Sequence, residues 1–162
     1  MKNIFGCIDF YNNMLIYDFF YRWYYLKGMK KSMALRWASL KGRAQAVRLL
    51  LEDSRVDPSA DDNYAIRYAS SRGHIKVVRL LLEDSRVDPS ADDNYAIRWA
   101  SENGHLEVVR LLLEDPRVDP TDVNNLAIEW AKEKGHIEIL DILTQHQFRL
   151  DGPIYNQNIL TY

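Results

Sequence analysis

The sequence predicts an all-α solenoid of stacked helix-turn-helix units joined by short loops, and three observations carry that prediction. The segment VRLLLEDSRVDPSADDNYAIR stands at residues 47–67 and again, letter for letter, at 78–98, an offset of 31. Within each period, apolar residues recur at helical spacing in two short runs. A glycine parts the two runs, and an Asp-Pro stretch parts one unit from the next; these are residues that stop helices. Neither short helix can bury its apolar stripe within a single unit. Stacked copies bury it continuously, and about three units are the usual minimum for stability.

Taken in order, the chain divides into an aromatic-rich segment at 1–32, units at 33–63, 64–94 and 95–125, a fourth unit and C-terminal cap at 126–152, and a tail at 153–162. The second unit shows the pattern most plainly. Asn63 suits an N-cap, and Ala65, Ile66 and Ala69 follow at helical spacing. Gly73 closes this helix, because glycine adopts the left-handed conformation without a Cβ penalty. The second helix places Ile75, Val78, Leu81 and Leu82 on one stripe, with Lys76 and Arg79 on the other. It ends before Pro89, which has no N–H to offer. Residues 88–94 carry Asp, Pro, Ser and Asn, the side chains of turns.

These residues resemble ankyrin repeats. The family's A-x-x-G-H-x-x-V-V-x-L-L-L run is matched at 70–82 (with Ser for Ala), at 101–113, and more loosely at 132–144. The resemblance spans residues 33 to about 152. Three departures stand out. Tyr64-Ala65-Ile66-Arg67 and its equivalents replace the family's T-P-L-H, the period is 31 rather than 33, and S-R-V-D-P or P-R-V-D-P replaces G-A-D-x-N. A tighter loop is therefore expected where the family has a hairpin between units. The shortened R-V-D-P form is similar to ankyrin-like arrays of giant DNA viruses and some amoebae.

Stacking turns equivalent positions into columns. Trp37, Tyr68, Trp99 and Trp130 form one, read here as large core side chains at the helix–helix seam rather than as a platform for bases. His74, His105 and His136 form another. Neighbouring units hold them too far apart to share one metal ion, and the resemblance implies a structural role. Arg36, Arg67, Arg98 and Glu129 share a position. An Arg98–Glu129 pair across units and an Arg–Asp lattice using Asp57, Asp61, Asp62, Asp88, Asp92 and Asp93 are expected, and Arg55/Asp57, Arg86/Asp88 and Arg117/Asp119 are expected to brace the loops. The D-P-S-A-D-D-N stretch at 57–63 is not a calcium loop. It lacks glycine at the sixth position, and Tyr68 stands where the twelfth-position glutamate belongs. A solvated acidic row of loop tips, suited to a basic partner, is the reading instead.

The segment 1–32 differs from the rest in holding ten of the chain's nineteen aromatics. A decayed repeat capping the stack is the reading. A helix lying in a membrane interface and a helix for a partner or for self-association are its alternatives.

Function classes narrow accordingly. A net charge of −2 points to no nucleic-acid partner, and no membrane partner is expected. The single cysteine, Cys7, allows no internal disulfide and suits a reducing compartment, so a cytoplasmic monomer is expected, in the host cytoplasm if the chain is viral. There is no phosphate-binding glycine loop, no H-E-x-x-H and no nucleophile elbow. No catalytic residues, cofactor or metal are assigned. The resemblance implies a protein-binding scaffold using a concave face of loop tips and first-helix ends. The positions are Asp61, Asp62, Ser71 and Arg72; Asp92, Asp93, Glu102 and Asn103; Asp122, Asn124, Glu133 and Lys134. A structural or vestigial product without a dedicated partner is the rival.

Overall fold

A computed structural model describes residues 31–151, with side chains to residue 147. The aromatic segment expected to cap the stack, Cys7 and the C-terminal tail lie outside the described residues. Eight helices follow in order: α1 Lys31–Leu40, α2 Ala44–Leu51, α3 Ala60–Ser71, α4 Ile75–Leu82, α5 Ala91–Glu102, α6 Leu106–Leu113, α7 Asp122–Glu133 and α8 Ile137–Asp151. Among the described residues there is no strand. The odd-numbered helices form one layer and the even-numbered helices a second, each packing on its neighbour along the stack.

Small residues decide how close the first helices come. Ala65, Ala69, Ala96, Ala100, Ala127 and Ala131 are buried on the odd-numbered helices. Interaxial distance follows side-chain size, so this layer is the tighter one. The larger apolar side chains meet between the layers: Leu35, Ile66 and Ile97 face Val47, Val78, Leu81, Val109, Leu112, Ile139 and Leu143. Each such residue contributes about 1.5–3 kcal/mol by leaving water.

The turn inside each unit is a Schellman motif. His74 N–H donates to the Ala69 carbonyl at 2.9 Å and Gly73 N–H to the Ser70 carbonyl at 3.1 Å, with Gly73 at φ +72°. The histidine then turns back on the preceding unit. His74 Nε2 lies 3.1 Å from the Leu40 carbonyl, His105 Nε2 3.1 Å from Ser71, and His136 Nε2 2.9 Å from Glu102. Each ring sits over the glycine of the preceding unit, so that a Cβ on Gly42 or Gly73 would stand 2.7 Å from it. The histidine column is therefore structural, as the sequence suggested.

The linkers bring two corrections. Asn63 is not an N-cap: Asp61, Asp62 and Asn63 all have φ near +55°, forming a left-handed turn that leads into the right-handed helix at Tyr64. The same turn recurs at Asp92, Asp93 and Asn94 and at Val123, Asn124 and Asn125. Asp and Asn tolerate this region because a short polar side chain can bond locally. Asn63 Oδ1 instead accepts the N–H of Asp88 in the next unit at 2.8 Å, and Asn94 Oδ1 accepts that of Asp119. The loop arginines also choose different partners. Arg86 grips Asp84 and Arg117 grips Asp115 by paired contacts, and their Nη1 atoms donate to the Val56 and Val87 carbonyls of the preceding unit. Asp88 and Asp119 turn away to bond Ser90 and Thr121. The expected Arg86/Asp88 and Arg117/Asp119 braces are thus replaced by Asp84 and Asp115. The two carboxylates lie below their usual range, chiefly because the arginine side chains hydrogen-bond their ionised form.

Candidate partner-binding face

Along α3, Ala65, Ile66, Ala69 and Ser70 point inward and are buried. Tyr64, Arg67, Tyr68 and Ser71, spaced i, i+3, i+4 and i+7, occupy the remaining face and stay half-buried. The same division holds on α5. Stacking aligns these faces into a continuous ladder of rings. Tyr64 stacks on Tyr68 at 3.9 Å between centroids, Tyr68 meets Tyr95 at 5.8 Å, Tyr95 meets Trp99 at 5.3 Å, and Trp99 meets Trp130 edge-on at 5.6 Å. The column of Trp37, Tyr68, Trp99 and Trp130 is therefore half-exposed, contrary to its reading as core. The close approach of the alanine-lined helices leaves no room for these rings between them. The sequence reading also missed Tyr64 and Tyr95, although their i, i+4 relation to Tyr68 and Trp99 was visible.

Arginines cross the ladder. Arg36 lies 5.2 Å from the Tyr64 ring, Arg67 5.0 Å from Tyr95, and Arg98 6.0 Å from Trp130. Arg36 and Arg67 each form an ion pair one unit further on, with Asp61 and Asp92 respectively, as the lattice reading anticipated. Arg98 does not pair with Glu129, which is exposed; it donates to the Asp92 carbonyl at 2.8 Å instead. Burial among the rings, and then the Tyr68 hydroxyl, push the Tyr95 phenol up to about 12. The face is ring-rich, and two of its three arginines are paired with carboxylates.

A family description for ankyrin repeats in three copies matches residues 14–93, and one for a single ankyrin repeat matches residues 92–125. This chain belongs to the ankyrin repeat family. Ankyrin repeats are generally protein–protein interaction modules and typically non-enzymatic. No individual curated protein matches the chain. The matched range begins inside the aromatic N-terminal segment and stops short of the fourth unit, which the structure nonetheless builds as α7 and α8 packed on α5 and α6.

The ankyrin stack places the sequence-predicted residues in two rows bracketing the ladder. At the loop-tip end, Asp61, Asp62, Asp92, Asp93 and Asn124 are all exposed, and Asp61 and Asp92 are in addition held by arginines. Asp122 is drawn inward, accepting from Asn94 Nδ2 at 2.9 Å and from the Val123 N–H at 2.8 Å. It aligns with Ala60 and Ala91 rather than with the tips. At the other end, Arg72, Asn103, Glu133 and Lys134 are exposed. Ser71 presents its carbonyl to Asn103 and His105, and Glu102 stands 3.8 Å from Lys134. Among the described residues no cluster of His, Cys, Asp or Glu is arranged to hold a metal, and no helix is long and apolar enough to cross a membrane.

Proposed function

We propose that the chain is a non-enzymatic, monomeric protein-binding scaffold that receives its partner along the half-exposed face of α3, α5 and α7, between loop tips and helix ends. The observation that carries this is the ladder from Tyr64 to Trp130, left half-exposed on helices whose opposite sides pack into the core. Tyr, Trp and Arg are the residue types that most often dominate interface energy. A rigid stack also lowers the ordering cost of binding.

Specificity belongs to the helix ends in this reading. The tips repeat the same residues, Asp61-Asp62 and Asp92-Asp93, whereas the ends read Ser71-Arg72, Glu102-Asn103 and Glu133-Lys134. The test is affinity capture of a partner from an intracellular lysate, followed by titration against variants. Arg72→Ala, Glu102→Ala and Glu133→Ala are expected to weaken binding individually, and Trp99→Ala to weaken it most. A partner whose affinity is unchanged by all four refutes the proposed face.

A further inference from the structure

Three arginines occupy one register along the ladder, and the structure neutralises only two. Arg36 and Arg67 each use Nη1 to hold a carboxylate of the next unit, Asp61 and Asp92. The equivalent position facing Arg98 is Val123. Arg98 keeps the shared contact to the carbonyl six residues earlier, and its buried Nε, like that of Arg67, has no hydrogen-bond partner. Its Nη1 makes no hydrogen bond or ion pair among the described residues.

The same substitution has a backbone consequence. Val123 stands at φ 51° and ψ 50°, in the left-handed region. A β-branched residue is a genuine outlier there, whereas Asp at the two preceding equivalents tolerates it. The third unit therefore gives up both an ion pair and backbone comfort at one position. Backbone strain of this kind clusters at functional places.

We infer that Arg98, set over the Trp130 ring, reads a carboxylate: an Asp or Glu side chain from an acidic, ring-packing segment of the protein partner takes the place that Asp61 and Asp92 fill in earlier units. This rests on the scaffold reading above. The occupant's chemistry is shown by the chain itself, since the same arginine atom holds a carboxylate twice already. Of the nearby anions, Asp92 is engaged with Arg67, while Asp93 and Glu129 are exposed. Glu129 is the competitor.

The test selects short random peptides, displayed on phage, against the full chain and measures their affinities by fluorescence anisotropy. Peptides that bind this face, defined by loss of binding to Trp130→Ala, are expected to carry Asp or Glu. Replacing that residue by its amide, or Arg98 by Met, each weakens binding about tenfold, with no further loss when combined. Val123→Asp weakens it similarly by giving Arg98 a carboxylate of its own, while raising the melting temperature. Glu129→Gln strengthens it. Peptides that depend on Trp130 but lack an acidic residue, or bind Val123→Asp as well as wild type, overturn the inference and leave the scaffold reading standing. If no selected peptide responds to any change on the face, including Trp99→Ala and Arg72→Ala, both fall.

Discussion

Replacing Gly73 by alanine separates two costs that the structure superimposes at one atom. The first is conformational: at φ +72° any L-residue with a Cβ pays about 1–2 kcal/mol. The second is steric, because the new Cβ would lie 2.7 Å from Nδ1 of His105 and 2.8 Å from Cε1. The ring must move, and its contact with the Ser71 carbonyl at 3.1 Å is lost, a bond worth about 1 kcal/mol net. Gly73→Ala is thus expected to destabilise the stack by about 2–3 kcal/mol in urea unfolding followed by circular dichroism. Gly135 supplies the internal control. It has φ +73°, but nothing among the described residues lies within 4 Å of its Cβ position, so Gly135→Ala should cost only the conformational part. A double-mutant cycle completes the case. In a His105→Ala background the cost of Gly73→Ala should fall toward that of Gly135→Ala, exposing a coupling of about 1 kcal/mol. Equal costs at Gly73 and Gly135, or no coupling to His105, refute the idea that each histidine is seated on the preceding unit's glycine.

Two further outcomes follow from particular polar groups. Ser101 is fully buried and its hydroxyl has no partner, so Ser101→Ala removes an unsatisfied group and adds a better helix former; thermal unfolding should show about 1 kcal/mol of stabilisation, and a lower melting temperature would contradict the assignment. The pairing of Arg117 with Asp115 sets a pH dependence. Asp115 is depressed in the folded state, so its contribution is complete above the unfolded carboxylate value of about 3.9 and is lost as pH falls below it toward the folded value. The melting-temperature gap between wild type and Asp115→Asn should therefore be widest near neutrality and close below about pH 4; a gap independent of pH counts against the pairing.

The helix pairs were legible because their signals are local and repeated: Gly73 ends α3, Pro89 follows α4, and the apolar stripes have helical period. The histidine column was legible by the same logic, since a residue in register after each glycine has one neighbour to meet. What escaped depended on distances the sequence does not carry. Asn63 suits both an N-cap and a left-handed turn, and only the Asp88 amide of the next unit selects the second role. Arg86 had Asp84 and Asp88 equally near in sequence; Ser90 occupies Asp88, and the geometry two residues back gives Asp84 the paired grip. The aromatic column was assigned to the core because its neighbours are Ala and Ile. It is those small neighbours that bring the helices together and leave the rings outside.

A repeat array offers its own control for every position, and that is why the departures carry meaning. The staples between units are the same each time: a histidine on a glycine, an asparagine on a backbone amide, a loop arginine on a valine carbonyl. A position that changes without disturbing them is free of the stacking requirement. Asp92 to Val123 is such a change, and it lies on the ladder rather than in the core. This one substitution takes the carboxylate from Arg98 and puts a less tolerant residue into the left-handed turn, beside the Trp130 ring. A carboxylate arriving from outside accounts for the arginine, and the segment carrying it would cover the rings.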